Sequence, residues 1–234
     1  MVKKKRVPII FEDDAIIVCE KPAGMPVQSD HTRDLDVLTT LKHHIFEEQA
    51  GEEEPYLHRL DRPVGGLMVL AKTKEAAASL SKQIQEFEFE KNYQAVVCGN
   101  LKEDFGTFED YLLKNGKTNK TEVVKAGTPD AKKAELDYEL IDCIETKEGI
   151  LTWVLVILHT GRHHQIRVQF ASRGLGLYGD TKYNPAFQKT KKKYTEIGLY
   201  STRLSFLHPV TGERMTFKTE PCGEAFEKMD VEAF

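Results

Sequence analysis

Tyr56-Leu57-His58-Arg59-Leu60-Asp61-Arg62-Pro63-Val64-Gly65-Gly66 runs without a break into Leu67-Met68-Val69-Leu70-Ala71. The second part is a continuous apolar run of strand length, which predicts a central strand covered on both faces. The first part ties ionisable residues, a proline and two glycines to the start of that strand, where irregular backbone can approach a ligand closely. Catalytic groups are typically held in such places. From the residues alone, an ordinary surface loop carrying an Asp–Arg pair reads as well.

Upstream, Val7 to Phe11 and Ala15 to Cys19 are short apolar runs separated by Glu12-Asp13-Asp14, the pattern of a hairpin, and they lead to the turn Lys21-Pro22-Ala23-Gly24. Leu35, Leu38, Leu41 and Ile45 recur at helical spacing, with Asp34 as the expected N-cap. Downstream of Ala71, Thr73 should cap a second helix with the stripe Ala77, Leu80, Ile84 and Phe87. Tyr93 to Val97 reads as a strand, and residues 106–113, 121–126 and 134–144 as shorter strands of a meander. Leu151 to Leu158 alternates apolar residues on both faces and predicts a strand buried on both sides. A helix should follow, with Thr160 as cap, Ile166 and Phe170 as its core pair and Gly174 as its end. Gly198 to Phe206 and Arg214 to Lys218 read as the last strands, joined across residues 208–212. With no repeat, flexible linker or low-complexity tract, the 234 residues read as one α+β domain, residues 1–234.

Hydrophobic content of 40% and charged content of 30% are ordinary for a folded protein and exclude a disordered or fibrous chain. The basic start Lys3 to Arg6 is not followed by the apolar stretch of an export signal, and no apolar run approaches the roughly 20 residues that cross a bilayer, so a cytoplasmic protein without a membrane partner is expected. Cys19, Cys98, Cys143 and Cys222 form no Cys-x-x-Cys pair and are expected as buried reduced thiols. The net charge of −4 speaks weakly against nucleic acid, yet basic residues cluster at Lys3 to Arg6, Lys114 to Lys133 and Lys182 to Lys193, while Glu47 to Glu54 forms an acidic block.

A second polar string, Leu158-His159-Thr160-Gly161-Arg162-His163-His164-Gln165-Ile166-Arg167, sits at the expected join of a buried strand and a helix. If that helix starts near Arg162, His163 and Arg167 share a face able to hold a carboxylate or a phosphate. A metal site on His159, His163 and His164 is disfavoured, because no Glu stands where a zincin requires one. Gly116-Lys117-Thr118 lacks the earlier glycine of a phosphate-binding loop, and His58 to Asp61 departs from a kinase catalytic loop at Leu60 and Gly66.

Together the two strings resemble the RluA/RluD-type family of RNA pseudouridine synthases. The signature His-Arg-Leu-Asp is matched by His58 to Asp61, followed by Gly65-Gly66. Glu20-Lys21-Pro22-Ala23-Gly24, Lys91-Asn92-Tyr93-Gln94-Ala95, Thr160 to Arg167 and Gly179-Asp180 with Tyr183 resemble further family motifs in the same order, so the resemblance spans about residues 9 to 218. It implies the pseudouridine synthase fold, a mixed, mostly antiparallel sheet with flanking helices and a central RNA-binding cleft. It implies an enzyme that isomerises uridine in structured ribosomal or transfer RNA with no metal and no nucleotide cofactor. Asp61 is similar to the family's essential Asp, acting at the sugar as nucleophile or base. Arg167 matches the arginine that pairs with it, and a guanidinium beside an enclosed carboxylate favours the ionised form. Tyr93 matches the tyrosine that lines the uracil pocket. A stacked uridine must be turned out of the RNA, and Arg59 resembles the residue that fills the vacated space. His58, Arg62, Arg162, His164 and Gln165 are the other expected substrate-binding residues, and a monomer is expected. An inactive RNA-binding protein on the same fold is the alternative. Many relatives have Ser at the position of Gly65, and many carry an N-terminal RNA-binding module that is expected to be missing ahead of Val7.

Overall fold

The computed structural model describes residues 6–29, 34–45, 59–147, 149–189 and 196–231. In chain order the elements are β1 (Ile9–Glu12), β2 (Ile16–Lys21), α1 (Val37–Thr40), α2 (Lys42–Ile45), β3 (Gly65–Ala71), α3 (Lys74–Gln85), β4 (Glu90–Cys98), β5 (Phe105–Asn115), β6 (Lys120–Val124), β7 (Lys132–Thr146), β8 (Gly149–Leu158), α4 (Gln165–Ala171), α5 (Pro185–Gln188), β9 (Leu199–Leu207), β10 (Arg214–Lys218) and α6 (Glu224–Val231). The class is α+β with strands paired mostly antiparallel, as the sequence implies. The chain forms two compact units: Met1–Glu90 with Ser201–Glu220, and Lys91–Tyr200 with Pro221–Phe234.

In the first unit the strand order is β1-β2-β3-β9, with β10 on β9. All seven residues of β3 are buried, as its unbroken apolar run requires. Ile16 and Val18 from β2, Leu67 and Val69 from β3, Leu80 from α3 and Leu204 and Phe206 from β9 make the core. Fully burying each such side chain is worth about 1.5–3 kcal/mol. Thr73 caps α3 by accepting from Ala76 N–H at 3.1 Å. The expected stripe is corrected at its end: α3 stops at Gln85, and Phe87 adopts φ 61° and is 68% exposed. The N-terminal helix is also corrected. It breaks into α1 and α2, its cap is Asp36, which accepts from Thr39 N–H at 2.8 Å, and Leu35 is exposed.

In the second unit β4, β8, β7, β5 and β6 lie in that order, every neighbouring pair antiparallel. Val96, Leu151, Tyr178, Tyr200 and, from α6, Phe226 and Met229 form one cluster; Leu112, Ala134 and Val168 form another. β8 is buried on the Thr152, Val154, Val156 and Leu158 face, while its other face opens toward Ile157, which is 37% exposed; the expectation of burial on both sides is corrected there. The thiols are corrected as well. All four are unbridged, but only Cys19 is buried, its thiol pushed up to about 12 by desolvation, whereas Cys143 and Cys222 are exposed. No helix among the described residues is long and apolar enough to cross a membrane.

Candidate active site

In the first unit, the loop that ends in β3 is fastened from below by the turn after β2. Asp61 lies half-buried in it, with Arg59 exposed before it and Leu60 and Val64 buried on either side; His58 lies outside the described residues. Asp61 C=O accepts from Val64 N–H at 3.0 Å, closing a tight turn over Arg62 and Pro63. Gly24 N–H donates to Arg62 C=O at 2.8 Å and Arg62 Nε donates back to Gly24 C=O at 3.2 Å. Lys21 is completely buried, and its Nζ donates to the carbonyls of Met25 at 2.8 Å, Arg62 at 3.1 Å and Pro22 at 3.2 Å. A buried ammonium is tolerated only when its donors are satisfied, and here three carbonyls do so while binding two segments together. Arg62 also pairs with Asp34, the residue expected as a helix cap.

Glycine is required next to this loop. Gly66 has φ 111°, and a Cβ on it would fall 2.3 Å from Ser201 C=O, so β9 passes too close for any side chain.

In the second unit, Tyr93 and Lys91 lie on one buried face of β4. Burial holds the Lys91 ammonium below its ordinary pKa. β8 then delivers the second polar string. Thr160 does not cap a helix at Arg162: α4 begins only at Gln165, after His164 in a left-handed conformation at φ 54°. His163 and Arg167 therefore do not share a helical face. Thr160 Oγ1 donates to Gln165 Oε1 at 2.8 Å and accepts from Glu135 N–H at 2.9 Å. Gln165 Oε1 also accepts from Arg162 N–H at 3.0 Å, and its Nε2 donates to Glu135 C=O at 3.1 Å. Gln165 thus stitches the segment to β7. Arg162 is exposed, with its Nε donating to Lys133 C=O at 2.9 Å.

Arg167, the third residue of α4, is 5% exposed. Its Nε and Nη2 donate to the two oxygens of Asp180, each at 2.8 Å. Asp180 is fully buried; desolvation raises its carboxyl, but the bonds and charge of Arg167 and the amides of Lys182 and Tyr183 outweigh it and hold it below the usual carboxylate range. The Arg167 guanidinium lies 5.2 Å from the Tyr183 ring centroid. Tyr183 Oη accepts from Thr121 N–H at 2.8 Å and is hydrogen-bonded to His164 Nδ1 at 2.7 Å. The three histidines of the string bond different partners, His159 to Asp137, His163 to Thr121 and His164 to Tyr183, and the His163 and His164 rings stack with centroids 3.7 Å apart. Among the described residues no three His, Cys, Asp or Glu side chains gather as a metal-binding group.

The structure thus brings Arg59, Asp61 and Arg62 together in one unit and Tyr93, Arg162, His164, Gln165 and Arg167 in the other. Lys21, Asp180 and Tyr183 belong to motifs visible in the sequence, but their contacts, with partners up to 62 residues away, leave no periodic trace there.

Residues 15–172 match the sequence profile described as RNA pseudouridylate synthase. A protein of Aquifex aeolicus (strain VF5) described as an uncharacterized RNA pseudouridine synthase is 34% identical over 230 residues, covering 94% of this chain and 71% of its own length. Ribosomal large subunit pseudouridine synthase D of Pseudomonas aeruginosa is 32% identical over 231 residues, covering 93% of this chain and 69% of its own. The solved structure of Human RNA Pseudouridylate Synthase Domain Containing 1 superposes with a TM-score of 0.75 at 21% identity, over 92% of this chain and 84% of that one, which concerns the fold. The profile and the sequence relatives agree with the motifs in both units, and the chain belongs to the RNA pseudouridylate synthase family of isomerases.

Proposed function

We propose that this isomerase converts uridine to pseudouridine in structured RNA, with large-subunit ribosomal RNA as the first substrate to test and Asp61 as the carboxylate on which the reaction depends. The substrate reading is supported by the relatives named for ribosomal large subunit synthases C and D. The observation that carries the assignment of Asp61 is its loop, clasped through Lys21, Gly24 and Arg62 at the mouth of β3. A side chain on so fastened a backbone keeps its position at little entropic cost when substrate arrives.

In the reaction the N1–C1′ bond breaks, the uracil turns, and a C5–C1′ bond forms. The hydrogen on C5 leaves to solvent and N1 gains a proton, so atoms and charge balance without a donor or an oxidant. Asp61 acts at the sugar, Arg167 supplies the guanidinium that favours its ionised state, and Tyr93 lines the uracil pocket. Arg59, exposed at the start of the loop, enters the stack when the uridine is turned out, because a guanidinium plane can replace a lost base face. His58, Arg62 and Arg162 bear on the flanking RNA, with phosphates held by exposed lysines such as Lys114, Lys117 and Lys120 on the β5–β6 hairpin. Gln165 and His164 shape the segment that carries Arg167.

The test uses RNA labelled with tritium at uracil C5. The wild-type protein releases tritium, and Asp61→Asn abolishes release while its far-UV circular dichroism and melting stay close to wild type. Release by Asp61→Asn at the wild-type rate would remove Asp61 from its role. Arg59→Ala lowers turnover on structured RNA more than RNA binding; equal losses in both count against its insertion. Mapping pseudouridine in cells with and without the gene names the uridine.

A further inference from the structure

We propose that Asp180 is a positioning residue for the isomerisation, clamping the Arg167 guanidinium by its Nε–Nη2 edge so that the plane it brings to the reaction is fixed. The proposal rests on the reading that Arg167 works beside Asp61.

An arginine reaches its target through a long, rotatable stem, and both its direction and its plane must be held for a bidentate contact. α4 alone cannot do this. It has seven residues and starts from a left-handed His164 without a side-chain cap. The plane is set instead from outside the helix. Asp180 takes Nε and Nη2 in a side-on fork at 2.8 Å each, which fixes the in-plane rotation. The fork is rigid because Asp180 Oδ1 also accepts the backbone N–H groups of Lys182 at 2.9 Å and Tyr183 at 3.2 Å. The guanidinium carbon lies over the Tyr183 ring, 5.2 Å from its centroid, and the Tyr183 hydroxyl is tied to Thr121 and His164, which holds that ring in place beside the guanidinium.

This arrangement is costly unless orientation is its purpose. A carboxylate removed entirely from water loses much of what its partner returns, so such pairs often contribute little net stability. Side-on use of the Nε edge directs Nη1 away from Asp180. A guanidinium whose plane is already fixed offers its hydrogen bonds with no reorganisation at the moment of reaction. Asp180 also balances the guanidinium charge, so the pair offers directed hydrogen bonds more than an unscreened cation.

The experiment measures turnover and half-saturating RNA concentration for wild type, Asp180→Asn, Arg167→Lys and the double variant. The probe is total RNA from cells lacking the gene, grown on 5-tritiated uridine. Asn keeps the shape and one acceptor but cannot receive both guanidinium nitrogens as an anion. Asp180→Asn is expected to lose about 100-fold in kcat, the scale set by small misplacements of a reacting group. Half-saturation should stay within about twofold, and the double variant within about threefold of Arg167→Lys, because two residues acting as a unit are not additive. Wild-type kcat in Asp180→Asn, or losses that multiply in the double variant, overturns the clamp. If Arg167→Lys and Asp61→Asn both lose activity and Asp180→Asn does not, the clamp alone is wrong. If Arg167→Lys itself turns over like wild type, the reading of the site fails and the clamp with it. Should Asp180→Asn not fold by circular dichroism, Tyr183→Leu decides: lower kcat at unchanged half-saturation supports the clamp, and wild-type kcat overturns it.

Discussion

Replacing Lys21 by methionine tests whether the fastening beneath Asp61 is what makes that loop rigid. Methionine has nearly the same length and fills the same buried volume, so packing is kept while the ammonium is removed. Three carbonyls lose a charged donor, at 2.8, 3.1 and 3.2 Å. Arg62 C=O retains Gly24 N–H and Pro22 C=O retains Met25 N–H, so those two losses are partial. Hydrogen bonds to charged groups contribute about 1.5–3 kcal/mol each, and unsatisfied buried carbonyls cost about 1–3 kcal/mol. Relief of the buried charge offsets several kcal/mol of this. The net expectation is about 2–4 kcal/mol of destabilisation. For a chain of this size, 1 kcal/mol moves the melting point by about 2–4 °C, so a drop of about 4–16 °C should appear by calorimetry. Tritium release should fall at 20 °C, where the variant is still folded, because the Asp61 loop is no longer held at Arg62. A Lys21→Met protein that melts within 2 °C of wild type (about 0.5–1 kcal/mol on the same scale) and keeps its turnover would refute the argument.

Gly66→Ala should destabilise by more than about 3 kcal/mol, read by urea unfolding, since it combines a positive φ with a backbone clash at Ser201; a loss below about 1 kcal/mol, the low end of what a Cβ costs in a left-handed backbone, would mean that β9 can move aside. Asp13 is buried enough for desolvation to raise its carboxyl, but the amides of Ile16 and Ala15 and then His208 bring it below its ordinary value. Its contribution is therefore fully present above the unfolded carboxylate pKa of about 3.9 and lost as pH falls through the lower folded value. Asp13→Asn should flatten the acid limb of the stability curve below about pH 4; an acid limb parallel to wild type counts against it.

The strands were legible because burial writes directly into composition: β3 is seven buried residues and reads as an unbroken apolar run. Helix ends were less legible. Asp34 and Asp36 are equivalent as caps by type, and only the fold decides that Asp36 accepts from Thr39 while Asp34 meets Arg62. Phe87 continues the apolar spacing of α3 by one turn, yet the backbone has already turned to φ 61° there. Thr160 and His163 were misread for a related reason. Helical spacing assumes a helix, and the left-handed His164 delays α4 to Gln165. The motifs carried the family, but the contacts that hold Arg167 and the Asp61 loop join residues 13 and 41 positions apart, a range at which no periodicity couples them.

β9 is shared between the compact units, Leu199 and Tyr200 lying in one and Ser201 to Leu207 in the other. The first unit is therefore still missing a central strand when its opening ninety residues leave the ribosome. β3 must wait, with an unpaired edge, until more than a hundred further residues have been translated, and such edges invite association with other chains. A nascent chain halted before residue 201 should depend on a holding chaperone, whereas one extended past Lys218 should resist protease, so the moment of release during synthesis is set by a single late strand.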